Sequence, residues 1–185
     1  YEHRVPEPIL PLTLWRNRVI LSGAVACFCV GCVVMASTTF LPAYIQGVMG
    51  RSPIVAGYAL AISSVTWIAG SWGGGQIMLR ASYRAATNVG GVFLVIGIGM
   101  LIALDPSRGP IWAATGTGLV GIGMGLNQNT YMVAAQSVVD WSQRGTATAI
   151  ISLMRMLGQT VGTAIYGAVV NLTLAEMLGD NAVDR

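Results

Sequence analysis

Charge is what this sequence has least of. Acidic and basic side chains together make up 9% of the 185 residues, no residue is lysine, and His3 is the single histidine. Soluble domains carry about 25% charged residues. A chain with so few, 54% hydrophobic residues and a mean hydropathy of +0.66 cannot coat itself for water, so lipid must coat it. Asp and Glu are missing from every long apolar stretch, so a carboxylate that titrates inside the membrane is not in this chain. One histidine, outside those stretches, excludes an intramembrane Ser/His pair and a histidine metal site. The net charge of +3 sits on single or paired arginines with no basic patch, which excludes a nucleic-acid partner. No signal peptide is visible, since residues 1–14 hold three prolines and no apolar run of the needed length.

What is present is a set of five uncharged windows. They run 19–50, 52–79, 85–104, 109–139 and 156–175, and hold 32, 28, 20, 31 and 20 residues. At ~1.5 Å per residue each can cross a hydrocarbon core of roughly 30 Å. The chain therefore reads as an all-α membrane protein with five transmembrane helices. Residues 1–18 form a cytoplasmic lead-in and 19–175 a bundle with spans near 19–44, 53–79, 85–104, 110–139 and 146–172. Residues 176–185 form an extracytoplasmic tail that reads as truncated. Arg4, Arg16, Arg18, Arg80, Arg84 and Arg144 share the side of the amino terminus, against Arg51, Arg108 and Arg185 opposite. The positive-inside rule then places the amino terminus in the cytoplasm and the carboxy terminus outside, in a cell's inner or plasma membrane.

The spans differ in character. The third is apolar all round, which suits a lipid-facing buttress and not the wall of an aqueous path. Pro42 is placed to kink or end the first span, and Pro53 to start the second. Trp112 suits an outer interfacial anchor, and Trp15 and Trp141 the inner one. Small residues four apart, Gly70/Gly74, Gly121/Gly125 and Gly158/Gly162, predict close helix contacts. The glycines from Gly116 to Gly121 match a dinucleotide pattern, but no strand precedes them and they lie at membrane depth, so they too read as packing. Cys27, Cys29 and Cys32 splay around one helix and read as buried thiols packing as small hydrophobes, not as metal ligands.

Candidate chemistry lies in the last two spans. Arg155 interrupts an apolar helix about ten residues, or roughly 15 Å, from the inner loop. Ser152, Arg155, Gln159, Thr163 and Tyr166 form one stripe ~80° wide. Two readings stand for Arg155: it snorkels to headgroups, or it belongs to a polar surface that Gln159 and Thr163 extend. Asn127, Thr130 and Tyr131 share a face of the fourth span, as cavity lining or as interhelical glue.

Three stretches carry a resemblance. Residues 41–57 (LPAYIQGVMGRSPIVAG), 75–84 (GQIMLRASYR) and 144–164 (RGTATAIISLMRMLGQTVGTA) resemble the carboxy-terminal half of the major facilitator superfamily, most closely its fourteen-helix drug/proton antiporter branch. In the second stretch Gly75, Arg80 and Arg84 keep the pattern of that superfamily's cytoplasmic-loop motif. Leu79 and Ser82 replace its Asp and inner Gly. The resemblance implies a partial second six-helix bundle and alternating access around a central site. It also implies export of amphipathic, drug-like molecules in exchange for protons, whose binding site would lie in the other half. On this reading Asn127, Thr130, Tyr131, Arg155, Gln159 and Thr163 line the substrate cavity, and no cofactor or metal is called for. The lipid bilayer, a small-molecule substrate and protons are the partners. A small non-transporting membrane assembly partner, or a major facilitator superfamily transporter of another substrate class, is the alternative, and an enzyme is disfavoured because nucleophile-base and metal constellations are missing.

Overall fold

The computed structural model describes residues 12–105 and 109–183, with the side chains of residues 12, 13, 36 and 174–183 left out. The expected lead-in over 1–11, the turn residues 106–108 and the last two residues of the tail lie outside the described residues. A short helix, α1 (Leu12–Trp15), precedes α2 (Arg18–Met35), a widened π turn (Ala36–Phe40) and α3 (Leu41–Gly47). Three long helices follow: α4 (Pro53–Arg80), α5 (Tyr83–Ile102) and α6 (Gly109–Ser137). A single 3₁₀ turn, Trp141–Gln143, leads into α7 (Arg144–Val183), which carries the expected tail as helix as far as Val183.

The boundaries follow from local chemistry. Gly50 at φ +59° lets the chain turn after α3, and Ser52 in extended conformation hands over to Pro53, whose missing N–H costs nothing in a first turn. Ser82 caps α5 by accepting a hydrogen bond from the Ala85 N–H at 3.2 Å. Gly109 opens α6 at φ +75°. Pro42 does not end the first membrane helix. It lacks the N–H that would reach the Thr38 carbonyl, and its ring crowds that group. The π turn immediately before it absorbs the conflict, and helix continues to Gly47.

At the centre stands α6, flanked by α4 and α5, with α2 packed on α7. The glycine pairs make these contacts. A side chain at Gly70 would strike the Ile122 carbonyl and one at Gly74 would lie 3.3 Å from the Leu126 backbone, while Gly121 and Gly125 face the Ser63 and Trp67 carbonyls in return. Likewise Gly158 backs onto Phe28 and Gly162 onto Cys32 of α2. The Cys32 thiol also donates to the Gly158 carbonyl at 3.1 Å. Apolar side chains fill three layers along the bundle. Leu14, Ile20 and Ile151 lie in the layer at the α1 end, Val30 and Met124 midway, and Leu41, Ile45 and Ala113 at the far end.

The outside is as apolar as the inside. Ile68, Trp72 and Val95 are more than 70% exposed, the pattern of a surface meant for lipid. Residues 18–47, α4 and α5 are long and apolar enough to cross a membrane. The other two long helices, α6 with 29 residues and α7 with 40, have the length but a lower hydropathy. Glycines and the polar run after Leu126 lower it in α6, whose surface the neighbouring helices cover. A helix covered by protein has no need of an apolar surface of its own. The thiols separate as their spacing predicts, but Cys29 is exposed and not buried. The Trp112 indole N–H donates to the Met100 carbonyl at 2.9 Å, tying α6 to α5.

Candidate functional site

Midway along the bundle a cavity of about 200 Å³ opens between α2, α4 and α6. Its walls are Ser37 and Thr38 of the π turn, Leu60, Ser63, Ser64 and Trp67 of α4, and Val34 and Met124. The Thr38 hydroxyl donates to the Val34 carbonyl at 2.9 Å and the Ser64 hydroxyl to the Leu60 carbonyl at 3.1 Å, so both keep lone pairs free to accept. No charged residue lines it. Sequence reasoning passed over these hydroxyls. Runs of Ser and Thr in an apolar helix are usually satisfied by their own backbone, and nothing in the residue types shows that two such runs face each other. Ser37 also borders a larger, mainly apolar cavity of about 500 Å³ between α2 and α5. There Phe40 and Tyr166 meet at 5.5 Å between ring centres, and the Tyr44 hydroxyl donates to the Leu104 carbonyl.

The six residues expected to line the site fall into three groups. Asn127 is buried with its amide against Gly90 of α5, where a side chain on Gly90 would come within 2.8 Å of it, and its Oδ1 has no partner. Thr130, also buried, donates to the Leu126 carbonyl at 2.6 Å. With the half-buried Tyr131 it lines a groove between α2, α5 and α6. Arg155 and Gln159 lie on α7 where Gly31 of α2 meets their backbone, and neither lines that groove. Thr163 is exposed and donates to the Gln159 carbonyl at 2.8 Å. Of the loop residues, Arg80 and Arg84 are exposed at the turn between α4 and α5, and Gly75 faces open space.

Among the described residues Arg155, like Asn127, keeps a buried polar atom without a partner. Its side chain is half-buried and its Nε is buried without a partner. A guanidinium at the centre of a membrane helix costs about 2.5–3.5 kcal/mol on insertion scales and is kept where it meets a cavity, a partner or a ligand.

A bundle of long helices joined by glycine contacts, apolar outside and hydroxyl-lined at mid-length, defines the class as a polytopic membrane protein. The chain belongs to the Major Facilitator Superfamily, whose family model matches residues 2–163. It is 27% identical over 179 residues to Multidrug resistance protein 3 of Bacillus subtilis, covering 97% of this chain and 35% of that protein. It is 27% identical over 182 residues to Multidrug transporter protein MdtP of the same organism, covering 98% of this chain and 34% of that protein. It is 32% identical over 190 residues to an Acurin A biosynthesis cluster MFS-type transporter of Aspergillus aculeatus, covering 100% and 33%. The chain thus spans about a third of the length of these relatives. No solved structure gives a significant match.

Proposed function

We propose that this chain is part of a secondary transporter of the fourteen-helix branch that exports amphipathic small molecules by alternating access in exchange for protons. All five long helices cross the bilayer of the inner or plasma membrane, with the amino terminus cytoplasmic and the carboxy terminus outside. Two relatives named as multidrug proteins support the substrate class. The observation that carries the reading is the uncharged, hydroxyl-lined cavity at mid-helix beside the π turn, since π turns interrupt helices frequently at functional sites. Such walls accept hydrogen bonds from a polar headgroup while Val34, Met124 and Trp67 hold its apolar body. Arg155 and Gln159 of α7 are not among the residues that line this cavity; on this reading they meet the substrate separately, and the titrating carboxylate lies in the rest of the full-length protein.

The test is efflux of a fluorescent amphipathic dye from energised cells that make the full-length protein. Arg155→Ala and Gln159→Ala should insert at the wild-type level and each lower efflux by about tenfold, the effect of ~1.4 kcal/mol on a barrier. Unchanged efflux from both variants would remove them from the site.

A further inference from the structure

The four hydroxyl groups that line the cavity between α2, α4 and α6 are not equivalent. Thr38 and Ser64 give their protons to the carbonyls four residues earlier in their own helices, so they offer the cavity only lone pairs. Ser63 is half-buried and Ser37 is 6% exposed, and neither hydroxyl makes a hydrogen bond among the described residues. Ser37 is thus a side chain more than nine-tenths buried whose proton is unspent, set in the π turn at the cavity wall. Buried hydroxyls are as a rule hydrogen-bonded, and no bond joins this one to Thr38, Ser63 or Ser64 across the same space. The remaining walls are Val34, Leu60, Trp67 and Met124, which offer apolar contact and no oxygen acceptor. The volume of about 200 Å³ falls below the roughly 300–1,000 Å³ of a pocket for a whole drug-sized molecule. It holds a polar head and the ring beside it.

We infer that Ser37 determines specificity at this site: its hydroxyl donates to a carbonyl or ether oxygen of the substrate, whose adjoining ring lies against Trp67 and Met124. An ammonium head has protons for the lone pairs of Thr38 and Ser64 but no lone pair for Ser37, and leaves that proton unpaired. A hydrocarbon head leaves it unpaired as well. Selection is therefore by the acceptor oxygen, which alone satisfies the one buried donor of the wall. The inference rests on the reading of this space as a substrate site and names the chemical group that the site recognises.

The probes are prodan, a neutral naphthyl ketone, in tritiated form, and its analogue with a methylene in place of the carbonyl, measured as competitor on the purified full-length protein. Wild-type protein should bind the ketone about three- to tenfold more tightly than the analogue, the worth of one neutral hydrogen bond. Ser37→Ala should lose that preference by weakening the ketone alone, and Ser37→Thr, which keeps a hydroxyl, should retain it. The preference between the two probes is a readout that general damage to the fold does not move, since damage weakens both. No binding of prodan to wild-type protein, equal affinity for the two probes, an undiminished preference in Ser37→Ala, or loss of both probes together in that variant would each overturn the assignment. Prodan bound with the expected preference but not carried out of energised cells would count against the exporter reading alone.

Discussion

At the scale of single residues the fold depends on side chains that are missing. Gly158 meets the Phe28 carbonyl, and its partner Gly162 lies 2.8 Å, measured from where a side chain would start, from the Cys32 backbone. Both obstacles are backbone and cannot swing aside. Gly158→Val should therefore force α2 and α7 apart and destabilise the full-length protein by about 1–3 kcal/mol, the usual cost of overpacking. Gly167→Ala, on the same helix with nothing within 4 Å, should leave stability unchanged or raise it slightly by its helix propensity. Thermal melts of the two variants in detergent check the contrast. Arg155 belongs to this scale as well, since its depth and its unpartnered Nε, and not its charge alone, set it apart from the other arginines among the described residues.

Among the elements, the first membrane helix is the one whose shape the sequence concealed. Glycine pairs four residues apart are legible because they serve close approach, and each of the three pairs lies in a helix contact. The π turn is not legible. No residue type marks it, and Pro42 two residues later signals only that regular hydrogen bonding must fail somewhere nearby. The polar run from Asn127 to Tyr131 was ambiguous for another reason: five consecutive residues cover every side of a helix. Only the packed neighbours decide that Asn127 turns to α5 while Thr130 and Tyr131 turn to the groove beside α2. The apolar character of α5 was legible, and Val92, Val95 and Ile102 of that helix are exposed. A π turn is in effect a one-residue insertion, so deleting the exposed Thr39 should restore a regular helix and rotate α3 by ~100° relative to α2. The deletion should part Phe40 from Tyr166 and move Ser37 out of the mid-helix cavity. The expected result is protein that still inserts, shown by its amount in the membrane fraction, with dye efflux lost.

For the molecule as a whole, the alternation of α2, α4, α5, α6 and α7 makes a bundle with a lipid-coated outside, a glycine-packed inside and one hydroxyl-lined space between α2, α4 and α6. The superfamily membership and the helical architecture were readable from charge silence and three sequence stretches. The mid-helix cavity was not, because its walls come from three helices separated by tens of residues and carry no charge to reveal them. The central claim is that this space forms part of the translocation path. It is tested most directly by the reactivity of Ser63→Cys, in a cysteine-free form of the full-length protein that retains efflux, toward a membrane-impermeant maleimide. The expected result is labelling that slows several-fold when an amphipathic substrate saturates the protein. A residue that does not react at all, or one that reacts at the same rate with and without substrate while efflux proceeds, would contradict it.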